Sequence, residues 1–277
     1  MAIVINKDKK LNKYMQDFTR IIPKHHYEEW PQKLGQMNEL FQQAEYQTVK
    51  KGIREAAIIQ INPDNLEIFL EKTNKDRLLF TPLRKTALHS GFKTLVESVK
   101  PNEPFLWQGC LTKNYKDSQL FKEGYFKSDH QVVGQMLGYP DCCIAYFQRT
   151  FPIDPCPIWV DLEGNLTGFP EGNGMLRYFG TLIVAHLSCS PTCQETKKIG
   201  KVWFQIMQEI NKDLAKELYR LLAGPMVWNS YHGILQVETP YFVGLNNALY
   251  ILKKPRIINW QGQKRTLPKK SPLKKEG

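Results

Sequence analysis

The sequence predicts an α+β protein: an N-terminal mixed α/β part, a mainly helical cysteine-containing part, and a small C-terminal strand pair. Three observations support this fold class. Strand-like and helix-like segments alternate between about residues 50 and 113. Helical apolar spacing then dominates from residue 128 to about residue 223. Two short β-rich segments follow the strong stop signal Gly224-Pro225.

In the first part, a helix is predicted because apolar residues recur at spacings of three and four. Its apolar face contains Trp30, Leu34, Met37, Leu40, Phe41 and Ala44. Strands are predicted over residues 55–61, 77–80 and 104–111, where short apolar runs are bounded by turn signals. Helices are predicted between these strands, from Leu66 and over 90–99.

In the second part, Ser128-Asp-His-Gln131 has a capping-box pattern and predicts a helix that ends at Gly138-Tyr-Pro140. The next helix is predicted to begin at once, with Asp141 as its N-cap. A loop rich in Pro and Gly follows over 151–174. We predict a long helix over 175–187 and further helices over about 191–223.

The last part begins after Gly224-Pro225, and its strands are predicted over 227–237 and 240–245. We expect two domains, an N-terminal α/β region over 1–125 and a mainly helical cysteine-motif domain over 126–252. Residues 253–277 are expected to form a disordered basic tail.

The net charge of +11 over 277 residues is concentrated at the end of the chain. From Lys253 onward there are nine basic residues and one Glu, a net charge of +8. Such a tail can contact the phosphates of RNA or DNA, or it can simply keep the protein soluble. The partner prediction is therefore RNA or DNA bound through the tail, with a small-molecule substrate as the other option.

No apolar run approaches the roughly 18–20 residues of a membrane span, so we expect no membrane association. The N-terminus also lacks the apolar core of a secretory signal. A cytoplasmic location is the expectation. In a reducing compartment, clustered cysteines more often bind metal or do chemistry than form disulfides.

Four of the six cysteines lie in two short segments, Cys142-Cys143 and His186-Leu-Ser-Cys189-Ser-Pro-Thr-Cys193. Each segment is predicted to be the first turn of a helix, with Ser190 as the second N-cap. A helix N-terminus favours a thiolate over a thiol, because it has unpaired N–H groups and is the positive end of the helix dipole. Adjacent side chains point apart, so we expect only one of Cys142 and Cys143 to be a ligand.

Several kinds of site fit this pattern. An iron–sulfur cluster such as [4Fe–4S] would use Cys189, Cys193 and one of the adjacent pair, with Cys110, Cys156 or His186 as the fourth ligand or an open iron. A zinc ion would take four ligands: one of the adjacent pair, His186, Cys189 and Cys193. A metal-free site would use one cysteine as nucleophile and His186 as base. In the simplest alternative, the cysteines are small hydrophobic residues of the core.

Three segments together resemble an uncharacterised prokaryotic family. They are Gly138-Tyr-Pro-Asp-Cys142-Cys143, the His186–Cys193 segment, and Tyr231-His-Gly-Ile-Leu-Gln-Val-Glu-Thr-Pro240. The family carries Gly-Tyr-Pro-x-Cys-Cys, His-x-x-Cys-Ser-x-x-Cys and a His-Gly segment ending in Thr-Pro, and the likeness covers about residues 128–245. The resemblance implies no activity. It implies that these segments form one unit and that His232 shares a site with the cysteines.

The leading hypothesis is an iron–sulfur or other metal-dependent enzyme acting on a nucleic-acid substrate, with the reaction left open. Its metal ligands would come from Cys142 or Cys143, Cys189 and Cys193, with His186 as a further ligand or as a group beside the ligands. Its candidate proton-transfer groups would be His232 and His186. The alternative is a zinc-stabilised RNA- or DNA-binding protein without catalysis.

Overall fold

A computed structural model of the chain describes residues 29–87, 99, 102–150, 166–174 and 181–224, together with four strands between residues 226 and 259. The protein is an α+β protein, with seven helices in these residues and a three-stranded antiparallel sheet. The helices are α1 Glu29–Lys50, α2 Leu66–Lys75, α3 Tyr115–Phe126, α4 His130–Met136, α5 Asp141–Thr150, α6 Gln194–Ile210 and α7 Lys212–Leu222. Short 3₁₀ turns span Pro63–Asn65 and Pro170–Gly172.

The three-stranded sheet is formed by β1 Ala56–Ile61, β2 Leu79–Ala87 and β3 Phe105–Thr112, with β3 in the centre. All three predicted strands are present, but β2 extends well beyond residue 80. It passes through Pro82, and a shift in its pairing with β3 lies between Pro82 and Arg84. An edge strand tolerates a proline at such an irregularity, because part of its backbone has no partner strand. The helix predicted over 90–99 lies outside the described residues, apart from residue 99, which is not helical.

Side chains of the sheet alternate between two separate apolar clusters, as the two-residue period of a strand requires. One side faces α1 and α2, and its cluster contains Tyr46, Val49, Ala57, Ile59, Leu78, Phe80 and Leu111. The other side faces α3 and α4, and its cluster contains Ala56, Cys110, Phe121, Met136 and Leu137. The neighbouring pair Cys110 and Leu111 therefore contributes to opposite sides of the sheet.

A third cluster joins α1 to α6 and α7. The predicted face of α1 is confirmed from Leu34 to Ala44, and it packs against Trp203, Ile206, Met207, Leu218 and Leu221. The buried guanidinium of Arg54 lies over the ring of Trp203, 4.5 Å from its centroid, and is paired with Glu45. This core contains residues from both sides of position 125, while the predicted domain boundaries stay a prediction.

Several predicted helix starts are displaced. Asp129, and not Ser128, is the N-cap of α4, since its side chain accepts a hydrogen bond from the N–H of Val132. Asp141 is the first residue of α5 and not its cap. The prediction of a helix up to residue 187 is wrong for residues 181–187, which form irregular backbone. Helix α6 begins only at Gln194, so Ser190 is not its cap.

The C-terminal strands are β5 Met226–Asn229, β6 Gly233–Glu238, β7 Val243–Leu245 and β8 Arg256–Asn259. With β4, Leu166–Thr167, they form a sheet in the order β4-β8-β5-β6-β7. The predicted strand over 227–237 is thus two antiparallel strands, β5 and β6. Strand β8 lies inside the segment predicted as a tail. None of the helices in the described part of the chain has the length and apolar character of a membrane span.

Candidate metal centre

The first pair of cysteines lies in the first turn of α5. Gly138 ends the preceding helix with a positive φ of 69°, a conformation that glycine adopts without strain. The N–H groups of Cys143 and Ile144 both donate to the carbonyl of Pro140. The helix therefore starts directly after the Gly-Tyr-Pro turn, and this start holds Cys142 and Cys143 at its N-terminal end.

The second pair lies at the start of α6. Cys193 is itself the N-cap of the helix, and its sulfur accepts a hydrogen bond from the N–H of Thr196 at 3.5 Å. The Ser190-Pro-Thr segment forms a turn before it, closed by a hydrogen bond from Cys193 N–H to the Ser190 carbonyl. Cys189 lies just before this turn. A sulfur thus occupies the position where an oxygen of Ser, Thr or Asp usually caps a helix.

The structure brings all four cysteines together, and their sulfur atoms all lie within 4.8 Å of one another. The Sγ atom of Cys193 lies 3.7 Å from that of Cys142 and 3.8 Å from that of Cys143. All four are free thiols, since a disulfide bond is about 2.05 Å long. The predicted convergence of the two segments is therefore confirmed.

The adjacent cysteines do not point apart as the sequence suggested. Their sulfurs are 3.8 Å from each other, and both face Cys193. A tetrahedral ion with metal–sulfur bonds of about 2.3 Å places its ligand sulfurs about 3.8 Å apart. The four thiols could hold a metal ion in this arrangement, and together they need no further ligand to complete a tetrahedron.

Hydrogen-bond donors point at the inner sulfurs. The N–H of Cys189 donates to Cys143 Sγ at 3.4 Å, and the hydroxyl of Thr196 lies 3.4 Å from the same sulfur. The N–H of Thr196 donates to Cys193 Sγ. Donors in these positions stabilise negative charge on sulfur, as the surroundings of a bound metal do.

His186 is not part of the four-cysteine group, and the Thr196 hydroxyl lies between its ring and the sulfur of Cys143. Its Nε2 atom is 2.9 Å from Thr196 Oγ1, and its ring lies 5.1 Å from that of Tyr139. Burial lowers the pKa of His186 to about 4, so the ring is neutral at pH 7. Its predicted roles as ligand and as proton-transfer group stay predictions.

Sequence reasoning missed Thr196 and Ser188, which connect these groups. The Thr196 side chain is fully buried, and its hydroxyl contacts His186, Cys143 and Ser188. The Ser188 hydroxyl donates to the carbonyl of Ser190 at 2.6 Å. Thr196 lies three residues after the true cap, a position whose N–H usually meets the capping side chain. That position could have identified it, had Cys193 been recognised as the cap.

The thiols differ in acidity. Burial raises the pKa of Cys143, although the Thr196 hydroxyl and the Cys189 N–H act in the opposite direction. Burial and the neighbouring Cys193 and Cys142 thiols raise the pKa of Cys189 to about 12. For Cys193, burial raises the pKa, but hydrogen bonds from Thr196, Cys189 and Cys142 outweigh it and leave the pKa at about 7.

The remaining predicted residues lie elsewhere. Cys110 is fully buried in the cluster beneath α3 and α4, so it is a core residue and does not join the group. His232, Cys156 and the tail segment 264–277 lie outside the described residues. No protein-family model, curated protein or solved structure matches this chain.

Proposed function

We propose that the four cysteines bind one tetrahedral metal ion, zinc, and that this centre stabilises the fold of a nucleic-acid-binding protein. The observation that carries the proposal is the spacing of 3.7–3.8 Å between three of the sulfurs, with the fourth within 4.8 Å of each. The separations of these three sulfurs match the spacing of about 3.8 Å expected around one ion.

The same spacing argues against the iron–sulfur hypothesis. In a four-iron cluster each cysteine binds a different iron atom, so its sulfurs stand farther apart than ligands of one ion. A single iron ion would fit the spacing as well as zinc does. Iron is coloured in such a site and zinc is not, so the two are easily told apart.

The ligand set also favours a structural centre over a catalytic one. Structural zinc sites are closed by four protein ligands, whereas catalytic sites keep one position for water or substrate. Here four thiols can fill the tetrahedron, and His186 is turned toward Thr196. The ion would fix the first turn of α5 to the N-cap of α6. It would also hold the irregular segment 181–193 between them.

Metal analysis of anaerobically purified protein tests this proposal. We expect a colourless protein with one zinc per chain, and Cys189→Ala should lose both the metal and thermal stability, because metal binding contributes folding free energy. Cys110→Ala is the matched control, since it removes a buried cysteine from a different cluster. It should keep the metal. A brown protein containing iron and sulfide, or no metal at all, contradicts the proposal.

The nucleic-acid part of the proposal is carried by the distribution of charge. A net +8 of the chain's +11 lies after Leu252, and residues 264–277 alone carry six basic residues and one Glu. Lysine and arginine on such a segment contact phosphates and release counterions, which makes binding salt-dependent.

Deletion of residues 264–277 tests this part. The truncated protein should keep its metal, while its binding to tRNA, single-stranded RNA and duplex DNA weakens and depends less on salt. A full-length variant with the six basic residues changed to Gln separates charge from length. If the intact protein binds none of these nucleic acids at about 50 mM salt, where such contacts are strong, this half of the proposal fails.

A further inference from the structure

The four sulfurs are not equally accessible. Cys142 is exposed and Cys189 is partly exposed, whereas Cys143 and Cys193 are only 2% and 8% exposed. Position in the fold explains the difference. Cys142 is the second residue of α5 and lies on its solvent side, while the next residue, Cys143, points into the protein. A reagent in solution therefore meets Cys142 first.

The four sulfurs also differ in the hydrogen bonds that they accept. Cys143 accepts the N–H of Cys189, and Cys193 accepts the N–H of Thr196. In the described part of the chain, the hydrogen-bond partners of the Cys142 sulfur are the sulfurs of Cys143 and Cys193. Donors that stabilise a thiolate also lower its nucleophilicity. Cys142 therefore combines the greatest access of the four with a sulfur that accepts no backbone N–H from the described residues.

From these two observations, and resting on the proposed metal site, we infer that Cys142 is a site of oxidation by peroxide, and that its oxidation forms a disulfide with Cys193 and releases the metal. The Cys142 thiolate attacks one oxygen of hydrogen peroxide, the O–O bond breaks, and hydroxide leaves. Cys142 is then a sulfenic acid. The Cys193 thiolate attacks that sulfur, the S–S bond forms, the S–O bond breaks and a second hydroxide leaves. Two thiolates are oxidised by two electrons and one peroxide is reduced.

Cys193 is the preferred partner because its sulfur lies 3.7 Å from that of Cys142 and belongs to the other segment. A disulfide requires about 2.05 Å, a change within reach of small side-chain rotations. Cys143 is as near, but a bond between adjacent residues would strain the first turn of α5. The new bond would connect the starts of α5 and α6 in place of the ion, and the ion would keep only two of its four ligands.

The test treats full-length, metal-loaded protein with limiting hydrogen peroxide. Zinc release is followed with a coloured chelator, sulfenic acid is trapped with dimedone, and disulfides are located by peptide mapping. We expect the first dimedone adduct on Cys142 and a Cys142–Cys193 disulfide in step with zinc release. Removing the most accessible thiolate in Cys142→Ser should slow release on the order of tenfold, while Cys110→Ala should not change it.

Two results would overturn the inference: a first adduct on another cysteine, or a disulfide other than Cys142–Cys193. The peptide map of the wild-type protein decides this even if Cys142→Ser fails to bind zinc. Metal analysis before oxidation distinguishes failure of the oxidation inference from failure of the proposed metal site. If the protein binds no metal, the proposed function fails, and the same map of the reduced protein still decides whether Cys142 is the oxidised residue.

Discussion

Thr196→Val is the substitution that most directly tests the network behind the cysteines. Valine has nearly the shape of threonine and is also β-branched, so packing and helix propensity change little. It retains the backbone N–H that bonds Cys193 and replaces only the hydroxyl with a methyl group. That hydroxyl is the partner of His186 Nε2 at 2.9 Å and contacts Cys143 Sγ at 3.4 Å.

The magnitude follows from which groups lose their partner. His186 is buried and would be left unsatisfied at Nε2, a cost of about 1–3 kcal/mol. Cys143 would keep the Cys189 N–H, and Ser188 would keep the Ser190 carbonyl, so they add little. We expect a loss of about 2 kcal/mol, which lowers the Tm by about 4–8 °C in a protein of this size.

Calorimetry or circular dichroism of the purified protein measures this loss. Thr196→Ser keeps the hydroxyl and should recover most of it. Thr73→Val is the matched control, because Thr73 is also buried and its hydroxyl bonds the carbonyl of Leu70 within its own helix. The reasoning is refuted if Thr196→Val is as stable as wild type, or if Thr73→Val costs as much.

Two further predictions concern helix packing and pH. Gly200→Ala should destabilise the protein by about 1–3 kcal/mol, because the new Cβ would lie 2.4 Å from Glu171 Cβ. Gly35→Ala should instead stabilise the protein by about 0.5–1 kcal/mol, because nothing lies within 4 Å of its new Cβ and alanine favours the helix. If thermal unfolding shows the same effect for both substitutions, this prediction is wrong. Stability should also fall as the pH drops from about 6.5 to about 4, by up to about 3 kcal/mol, because unfolded His186 binds a proton that the folded ring, with a pKa of about 4, does not. His186→Gln should lack this component, and denaturant titrations of both proteins across that range measure it.

Much of the fold follows from local patterns in the sequence. The apolar spacing of α1 predicted which of its residues are buried, because a helix with one apolar face has one way to cover it. Gly138-Tyr-Pro140 predicted where α5 begins, since the glycine ends one helix and the proline favours the start of the next. The convergence of the two cysteine segments was also predictable, because four reactive side chains lay at two predicted helix starts.

The errors lie where tertiary contacts decide between similar local structures. Ser190-Pro-Thr has the pattern of an N-cap followed by a helix, yet it forms a turn and Cys193 caps the helix instead. The apolar run before it also resembled a helix. Its residues Ile183 and Val184 are buried against α1 and α6, while the backbone around them stays irregular. Apolar residues at core positions do not by themselves specify a helix.

The surroundings of the sulfurs also bear on the simplest alternative to a group that could hold a metal ion, in which the cysteines are only small hydrophobic residues. A buried apolar thiol resembles Cys110, which lies in a cluster of aromatic and aliphatic side chains with its pKa raised by burial. The four-cysteine group differs in two ways. One of its members is exposed, and one caps a helix. Exposure to water and a position at a helix N-terminus both suit a charged thiolate. Neither of them stabilises a side chain that acts only as a hydrophobic residue. Four thiolates at this spacing would repel one another strongly in a buried site, and a divalent cation at their centre removes that repulsion.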